Sequence, residues 1–135
     1  MADEVARYSE LLPPVASSVA AARKFVVAAA RSWGVTALAN DLALVVSELV
    51  TNAIEHGVGP VGLAARRWGD GVQIEVSSGL TSHRPARLDP SPRMATGRGR
   101  RVVDALASDW GHRESRLQRT VWARLTEAPG AREDD

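Results

Sequence analysis

The chain has 135 residues, of which 44% are hydrophobic and 24% are charged, and its formal net charge is +1. These values are typical of one soluble globular domain, so we expect a cytoplasmic protein, and the small net charge does not favour direct binding to nucleic acid or to a membrane. The absence of cysteine excludes disulfides and thiolate chemistry. No run of about 18 apolar residues predicts a membrane span.

Two elements are predicted before the central stretch of the chain. Arg7–Leu12 fits a short strand, and the Pro-Pro pair that follows ends it, because proline cannot continue a ladder. Between Val15 and Trp33 the apolar residues recur every three or four positions, which predicts a helix. Ser17 or Ser18 is the expected N-cap of this helix.

The next stretch has the pattern of a two-faced helix. Its apolar residues recur at i, i+3, i+4, i+7, i+8 and i+11: Leu42, Val45, Val46, Leu49, Val50 and Ala53. Asn40 or Asp41 is the expected N-cap, and Gly57 is expected to end the helix. Glu48 and Asn52 lie one turn apart on another face. A carboxylate and an amide so placed can hold a metal-bound phosphate, although an ordinary amphipathic helix with a solvated polar face fits the same pattern.

A β-hairpin is predicted after this helix. The extended stretch Val61–Trp68 is followed by Gly69-Asp70-Gly71 and then by Val72–Val76, in which apolar and polar residues alternate strictly. Two strands joined by a Gly/Asp tip are typical of a hairpin. We expect the apolar side chains of the second strand to face the core.

The C-terminal half is predicted to contain a long loop, a short helix and a second hairpin. The loop covers Ser77–Thr96, which has no hydrophobic period, and loops of that length inside a domain are usually functional. Gly97–Arg101 then leads into a helix at Val102–Ala107. Trp110–Ser115 and Arg119–Leu125 are expected to pair as the closing hairpin.

Taken together, the elements predict one domain over residues 7–126, with disordered ends at 1–6 and 127–135. The order β-α-α-β-β-loop-α-β-β favours an α+β fold in which a sheet carries helices on one face, a two-layer sandwich.

The segment Ser47–Gly57, which reads SELVTNAIEHG, resembles the N box of the GHKL (histidine kinase-like, or Bergerat) ATPases. It is most similar to the branch formed by bacterial anti-sigma factor serine kinases. The resemblance implies a two-layer α/β sandwich with a mixed, mostly antiparallel sheet. It also implies ATP and Mg²⁺ as cofactors, Glu48 as the catalytic residue that acts on the attacking group, and Asn52 as the ligand of Mg²⁺ and nucleotide.

Two further motifs match this family. Gly97, Arg98 and Gly99 resemble the glycine box that ends the ATP lid, and glycines at the start of a helix let phosphates approach its first N–H groups. A loop-to-helix hinge is the alternative interpretation. The run Arg119–Trp122 resembles the last strand of the family, whose Thr lies near the adenine, so Thr120 is the expected residue there. The alternative is an ordinary edge-strand Thr.

One position departs from the family. The Asp that reads adenine should follow Val76-Ser77, and Ser78 stands there instead. A carboxylate accepts the adenine amino group in a charge-assisted bond, whereas a serine hydroxyl is neutral and shorter. Loss of such a bond costs about 1.5–3 kcal/mol unless a water bridges the gap. Ser78 therefore weakens the expectation of tight ATP binding.

The resemblance implies an anti-sigma factor with serine/threonine kinase activity. Such a protein sequesters a sigma factor and phosphorylates a serine of an anti-anti-sigma partner of the STAS type, and the resemblance leaves a homodimer open. The alternative is a catalytically weak or inactive module of the same fold that regulates a protein partner without phosphoryl transfer.

Overall fold

The computed structural model describes residues 7–80 and 97–127. Along the chain the elements are β1 (Arg7–Leu12), α1 (Ser18–Ser32), a 3₁₀ turn (Thr36–Leu38), α2 (Ala39–His56), β2 (Val58–Trp68), β3 (Gly71–Gly79), α3 (Gly97–Leu106), β4 (Asp109–Glu114) and β5 (Gln118–Thr126). The predicted disorder at 1–6 and 128–135 lies outside the described residues, as does most of the predicted loop, 81–96.

The strands form one sheet in the order β1-β2-β3-β5-β4. All four strand pairings in the described part of the chain are antiparallel, whereas the resemblance implied a mixed, mostly antiparallel sheet. Helix α2 packs on β2, β3 and β5, while α1 and α3 pack against α2. The predicted two-layer α+β architecture is therefore confirmed, with α2 as the helix that covers the middle of the sheet.

The core lies between α2 and the central strands. All six apolar residues predicted to share one face of α2 are buried. They meet side chains that alternate along the strands, as the pleat requires, and these are Leu63, Ala65, Val72, Ile74, Val76, Val121, Ala123 and Leu125. The periods of 3.6 and 2 that were visible in the sequence thus identify the two surfaces that pack together.

Helix α2 is also the most apolar segment described. By length and composition alone Thr36–His56, with a mean hydropathy of 1.3, is long and apolar enough to cross a membrane. Half of its most apolar window is buried inside the fold, however, and a core helix passes the same test. The apolar side chains on its buried face are accounted for by contact with the sheet and with α1.

Of the two predicted helix N-caps, that of α1 is confirmed and that of α2 is wrong. Neither Asn40 nor Asp41 caps α2, because the preceding 3₁₀ turn carries the chain straight into a helix that begins at Ala39. Asp41 instead lies in the first turn, where a negative charge stabilises the helix dipole. Ser17 is the N-cap of α1 without a side-chain bond to it. The Ser18 hydroxyl donates to the carbonyl of Pro13 at 2.6 Å.

Two boundaries in the C-terminal half were also misplaced. Strand β3 continues to Gly79, so Ser77 and Ser78 belong to the sheet and not to the loop, because β5 supplies hydrogen-bonding partners for them. Helix α3 begins at Gly97, before the basic run that was expected to lead into it. Hydrophobic periodicity did not predict the end of β3 or the start of α3. The residues there are polar or glycine, and a neighbouring strand or helix holds them in place.

Two leucines of α2 provide a test of this packing. Leu49 is 1% exposed and Leu44 is 54% exposed. We expect Leu49→Ala to lower the free energy of unfolding by about 2–5 kcal/mol, because it leaves a cavity against the sheet. Leu44→Ala, the matched control, should change it by less than about 0.5 kcal/mol. Urea denaturation measures both, and equal losses would contradict the observed orientation of α2.

Candidate functional site

Asn52 is a polar residue on the core side of α2. The residue is only 5% exposed, and its Oδ1 atom is buried without a hydrogen-bond partner among the described residues. A buried amide oxygen in this condition costs about 1–3 kcal/mol relative to a satisfied one. A bound ligand or an ordered water can complete such a group, so Asn52 marks a candidate binding site.

A small cavity adjoins Asn52 between α2 and the sheet. It is lined by Leu49, Asn52, Ala53 and His56 from α2, by Gly57 and Leu80, and by Val76, Ser78, Arg119 and Val121 from the sheet. The structure therefore brings Asn52 and Ser78 together, as predicted. The volume open to the centre of a water molecule is about 10 Å³, which is room for one water.

Ser78 is packed against the end of α2. Its exposed fraction is 6%. A Cβ atom on Gly57 would lie 2.6 Å from the Cβ of Ser78 and closer still to its hydroxyl oxygen. Gly57 does end the helix, as predicted, with φ at −104°, which any residue can adopt. Glycine is therefore required here by the close approach of β3 and not by the backbone conformation.

Arg119 is a cavity residue that the sequence analysis did not identify. It is paired directly with Ser78 in the β3–β5 register, and its side chain is 11% exposed. Its Nε and Nη2 atoms donate to Oε2 of Glu114 at 2.8 and 2.7 Å. The alternation of Val121, Ala123 and Leu125 in the sequence was a usable signal, because Arg119 continues that core-facing series.

Thr120, the residue expected near the nucleotide, lies on the other face of the sheet. It pairs with Ser77 and lines a separate depression of about 500 Å³ together with Ser77 and Glu75. Successive residues of a strand point to opposite faces, so Thr120 and Arg119 cannot both face α2. The structure does not bring Thr120 to Asn52, and this part of the predicted site is corrected.

Glu48 lies one turn before Asn52 and is partly buried, but it does not line the cavity. The side chain of the preceding residue, Ser47, forms two hydrogen bonds. Its hydroxyl donates to the Ala43 carbonyl at 2.7 Å and accepts a hydrogen bond from Nε of Arg23, also at 2.7 Å. These bonds fix the turn of α2 that carries Glu48.

The glycine motif forms the first turn of α3. Gly97, Arg98 and Gly99 thus belong to a helix that packs on α2. The side chain of Arg100 interacts with one residue of α3 and one of β4. Its Nε lies 3.5 Å from the carboxylate of Asp104, and its guanidinium lies over the ring of Trp110 at 5.5 Å from the ring centre.

The residues present fit a metal ion that arrives with a ligand. Within 7–80 and 97–127, no group of three or more His, Asp or Glu side chains could hold a metal by itself. Mg²⁺ prefers oxygen ligands, keeps several waters, and is commonly held by one or two protein groups together with substrate phosphates. The unpartnered Oδ1 of Asn52 is such an oxygen, so it fits Mg²⁺ bound to a nucleotide.

Comparison with models of protein families matches residues 12–125 to the histidine kinase-like ATPase domain. The matched range includes all of α2 and every residue that lines the cavity. Comparison with curated proteins gives no match.

The unpartnered oxygen of Asn52 leads to a prediction about stability. Asn52→Leu replaces an unsatisfied amide with an apolar side chain of similar volume, so we expect the ligand-free protein to gain about 1 kcal/mol in unfolding free energy. The control is Ser47→Ala, also buried on α2, which removes two formed hydrogen bonds and should lose about 1–2 kcal/mol. Urea denaturation without nucleotide compares the two variants, and a loss in both would make Asn52 an ordinary structural residue.

Proposed function

The chain belongs to the histidine kinase-like ATPase family, and on that premise we propose that it is an ATP-binding regulatory protein of the anti-sigma factor type. In this proposal it sequesters a sigma factor in the cytoplasm and phosphorylates a serine of an anti-anti-sigma partner. The observation that carries the proposal is the buried, unpartnered oxygen of Asn52, which lies within the matched domain and beside a cavity.

In this proposal, Asn52 and Glu48 of α2 would have separate roles in phosphoryl transfer. Asn52 would bind Mg²⁺ through Oδ1, and when bound the ion neutralises charge on the phosphates. Glu48, one turn closer to the N-terminus, would accept the proton of the attacking serine hydroxyl. Helix α3, which starts with the glycine motif and packs on α2, would contribute its N-terminus to the phosphate end of the site.

A binding module without phosphoryl transfer is the second candidate. Two observations favour it: the cavity admits about one water molecule, and no carboxylate is among the described residues that line it. A protein of this kind would regulate its partner through occupancy of the surface alone. The two candidates share the fold and differ in whether Glu48 ever acts on a substrate.

The first test concerns the metal. We expect Asn52→Ala to remove the Mg²⁺-dependent part of ATP affinity, at least about tenfold, because the amide oxygen is the protein ligand of the ion. Isothermal titration calorimetry with Mg²⁺ and with excess EDTA measures this part directly. Circular dichroism establishes that the variant is folded. Equal Mg²⁺ dependence in wild type and variant would show that the helix is only structural.

The second test distinguishes the kinase from the binding module. Glu48→Gln should slow phosphoryl transfer to a partner serine by at least about a hundredfold while ATP affinity is retained, because only the proton acceptor is lost. Glu55→Gln is the matched control, since Glu55 is an exposed carboxylate on the same helix. Transfer is followed with radiolabelled ATP and an anti-anti-sigma protein. A wild-type protein that binds ATP and never labels the partner would favour the binding module.

A further inference from the structure

Helix α3 is short and depends on its neighbours for its conformation. It has ten residues, Gly97–Leu106, and isolated helices of fewer than about 12–15 residues are marginal in water. Val103 is fully buried and Leu106 packs against the core, while the helix as a whole contacts α2. The direction of α3 is therefore set by the contacts that hold its two ends.

The C-terminal end of α3 is fixed by the chain itself. Ala107 and Ser108 are the two residues that separate the helix from β4. The backbone N–H and the hydroxyl of Ser108 both donate to the carbonyl of Arg124 on β5, at 2.8 and 3.0 Å. This end of the helix is thus held at the edge of the sheet.

The N-terminal half of α3 is held by Trp110 of β4. The indole Nε1 donates to Oδ1 of Asp104 at 2.7 Å. The other carboxylate oxygen of Asp104 lies 3.5 Å from Nε of Arg100, which is one turn closer to the N-terminus. The guanidinium of Arg100 in turn lies over the indole ring, 5.5 Å from its centre. Trp110, Asp104 and Arg100 form a cluster, the Trp110 cluster, in which each side chain contacts the other two.

Trp110 is itself fixed on the sheet. Its backbone pairs with Ala123 of β5, its N–H donates to Oδ1 of Asp109 at 2.9 Å, and its side chain packs against the core. Arg100 is the fourth residue of α3, so the Trp110 cluster reaches the first turn of the helix. A strand of the sheet therefore holds the turn that carries the glycine motif.

A contact that only stabilises the fold is the alternative interpretation of this cluster. The side chains of Arg100 and Asp104 are 51% and 52% exposed, however, and ion pairs at exposed positions contribute little to global stability. The cluster instead joins a short helix to a strand at two positions one turn apart. That geometry fixes the direction of α3 more than it stabilises the whole domain.

We propose that Trp110 is a positioning residue, which acts through Asp104 and Arg100 to hold the first turn of α3 toward the phosphates of the nucleotide. This inference rests on the proposed nucleotide-binding function and identifies what orients its phosphate end. Helix α3 packs on α2, where Oδ1 of Asn52 is buried without a hydrogen-bond partner among the described residues, so the two helices can act on one ligand. The observed dissociation constant rises as the fraction of protein with α3 in place falls.

Hydrogen exchange followed by mass spectrometry tests the contact without nucleotide. We expect Trp110→Phe, which keeps an aromatic ring and removes the indole N–H, to speed exchange of the α3 amides about three- to tenfold, because local opening becomes easier. Exchange in α2 and β3 should be unchanged. Trp68→Phe is the matched control, since Trp68 also lies over an arginine, with Arg124 at 3.7 Å from its ring centre, but on the face of the sheet opposite to α2.

ATP and AMP separate positioning from general stability, because they differ in the β- and γ-phosphates alone. Trp110→Phe should weaken binding of ATP with Mg²⁺ about three- to tenfold and binding of AMP by less than about twofold. Calorimetry measures ATP, and competition against ATP measures AMP. Asp104→Leu should reproduce this difference, whereas Asp104→Asn, which keeps an acceptor for the indole N–H, should retain most of the affinity for ATP.

The outcomes separate this inference from the proposed function. Unchanged exchange of α3 in both Trp110→Phe and Asp104→Leu overturns the inference, as does an equal loss of affinity for ATP and AMP, and in both cases binding by the wild type leaves the proposed function intact. Absence of ATP binding by the wild type overturns the nucleotide-binding function together with the role of Trp110 in it. If Trp110→Phe does not fold, the comparison of Asp104→Leu with Asp104→Asn decides the same question, and equal ATP affinity in these two variants overturns the inference.

Discussion

The packing of α2 against the central strands is the constraint on which the rest of this structure depends. Its apolar face is buried against β2, β3 and β5, and its C-terminus meets β3 where Gly57 contacts Ser78. A side chain at Gly57 would push the strand away from the helix. The same contact buries Asn52 at the interface, so the packing that stabilises the fold also leaves its Oδ1 without a hydrogen-bond partner among the described residues.

The opposite face of the sheet is stabilised in a different way. No helix of the described chain covers it, yet Gln73 and Glu75 are buried there beneath longer side chains. The Glu75 carboxylate accepts from Gln73 at 2.7 Å and lies 3.3 Å from Arg66 and 3.5 Å from Arg113. This charged network supplies partners for the polar side chains of β3. Because successive side chains of a strand point to opposite faces, these residues face away from the cavity.

The alternation of side chains between the two faces of each strand decides which residues line the cavity. Residues that are neighbours in sequence, Arg119 and Thr120, are assigned to different faces by the pleat. The cavity is therefore lined by Arg119 from β5 and by Ser78 from β3. This combination follows from the pairing of two strands that are distant in sequence. A small change in register would replace Arg119 with a neutral residue and give the same fold a different site.

The sequence by itself determined the helix α2, its buried face, the two hairpins and the one-turn spacing of Glu48 and Asn52, because hydrophobic periodicity and turn residues are local signals. It also placed Ser78 directly after the second strand of the first hairpin. Only the tertiary structure decided that β3 continues through Ser78, that Arg119 faces the cavity while Thr120 does not, and that Gly57 is needed for contact. These features depend on which residues of separate strands and helices meet, and such contacts leave no period in the chain.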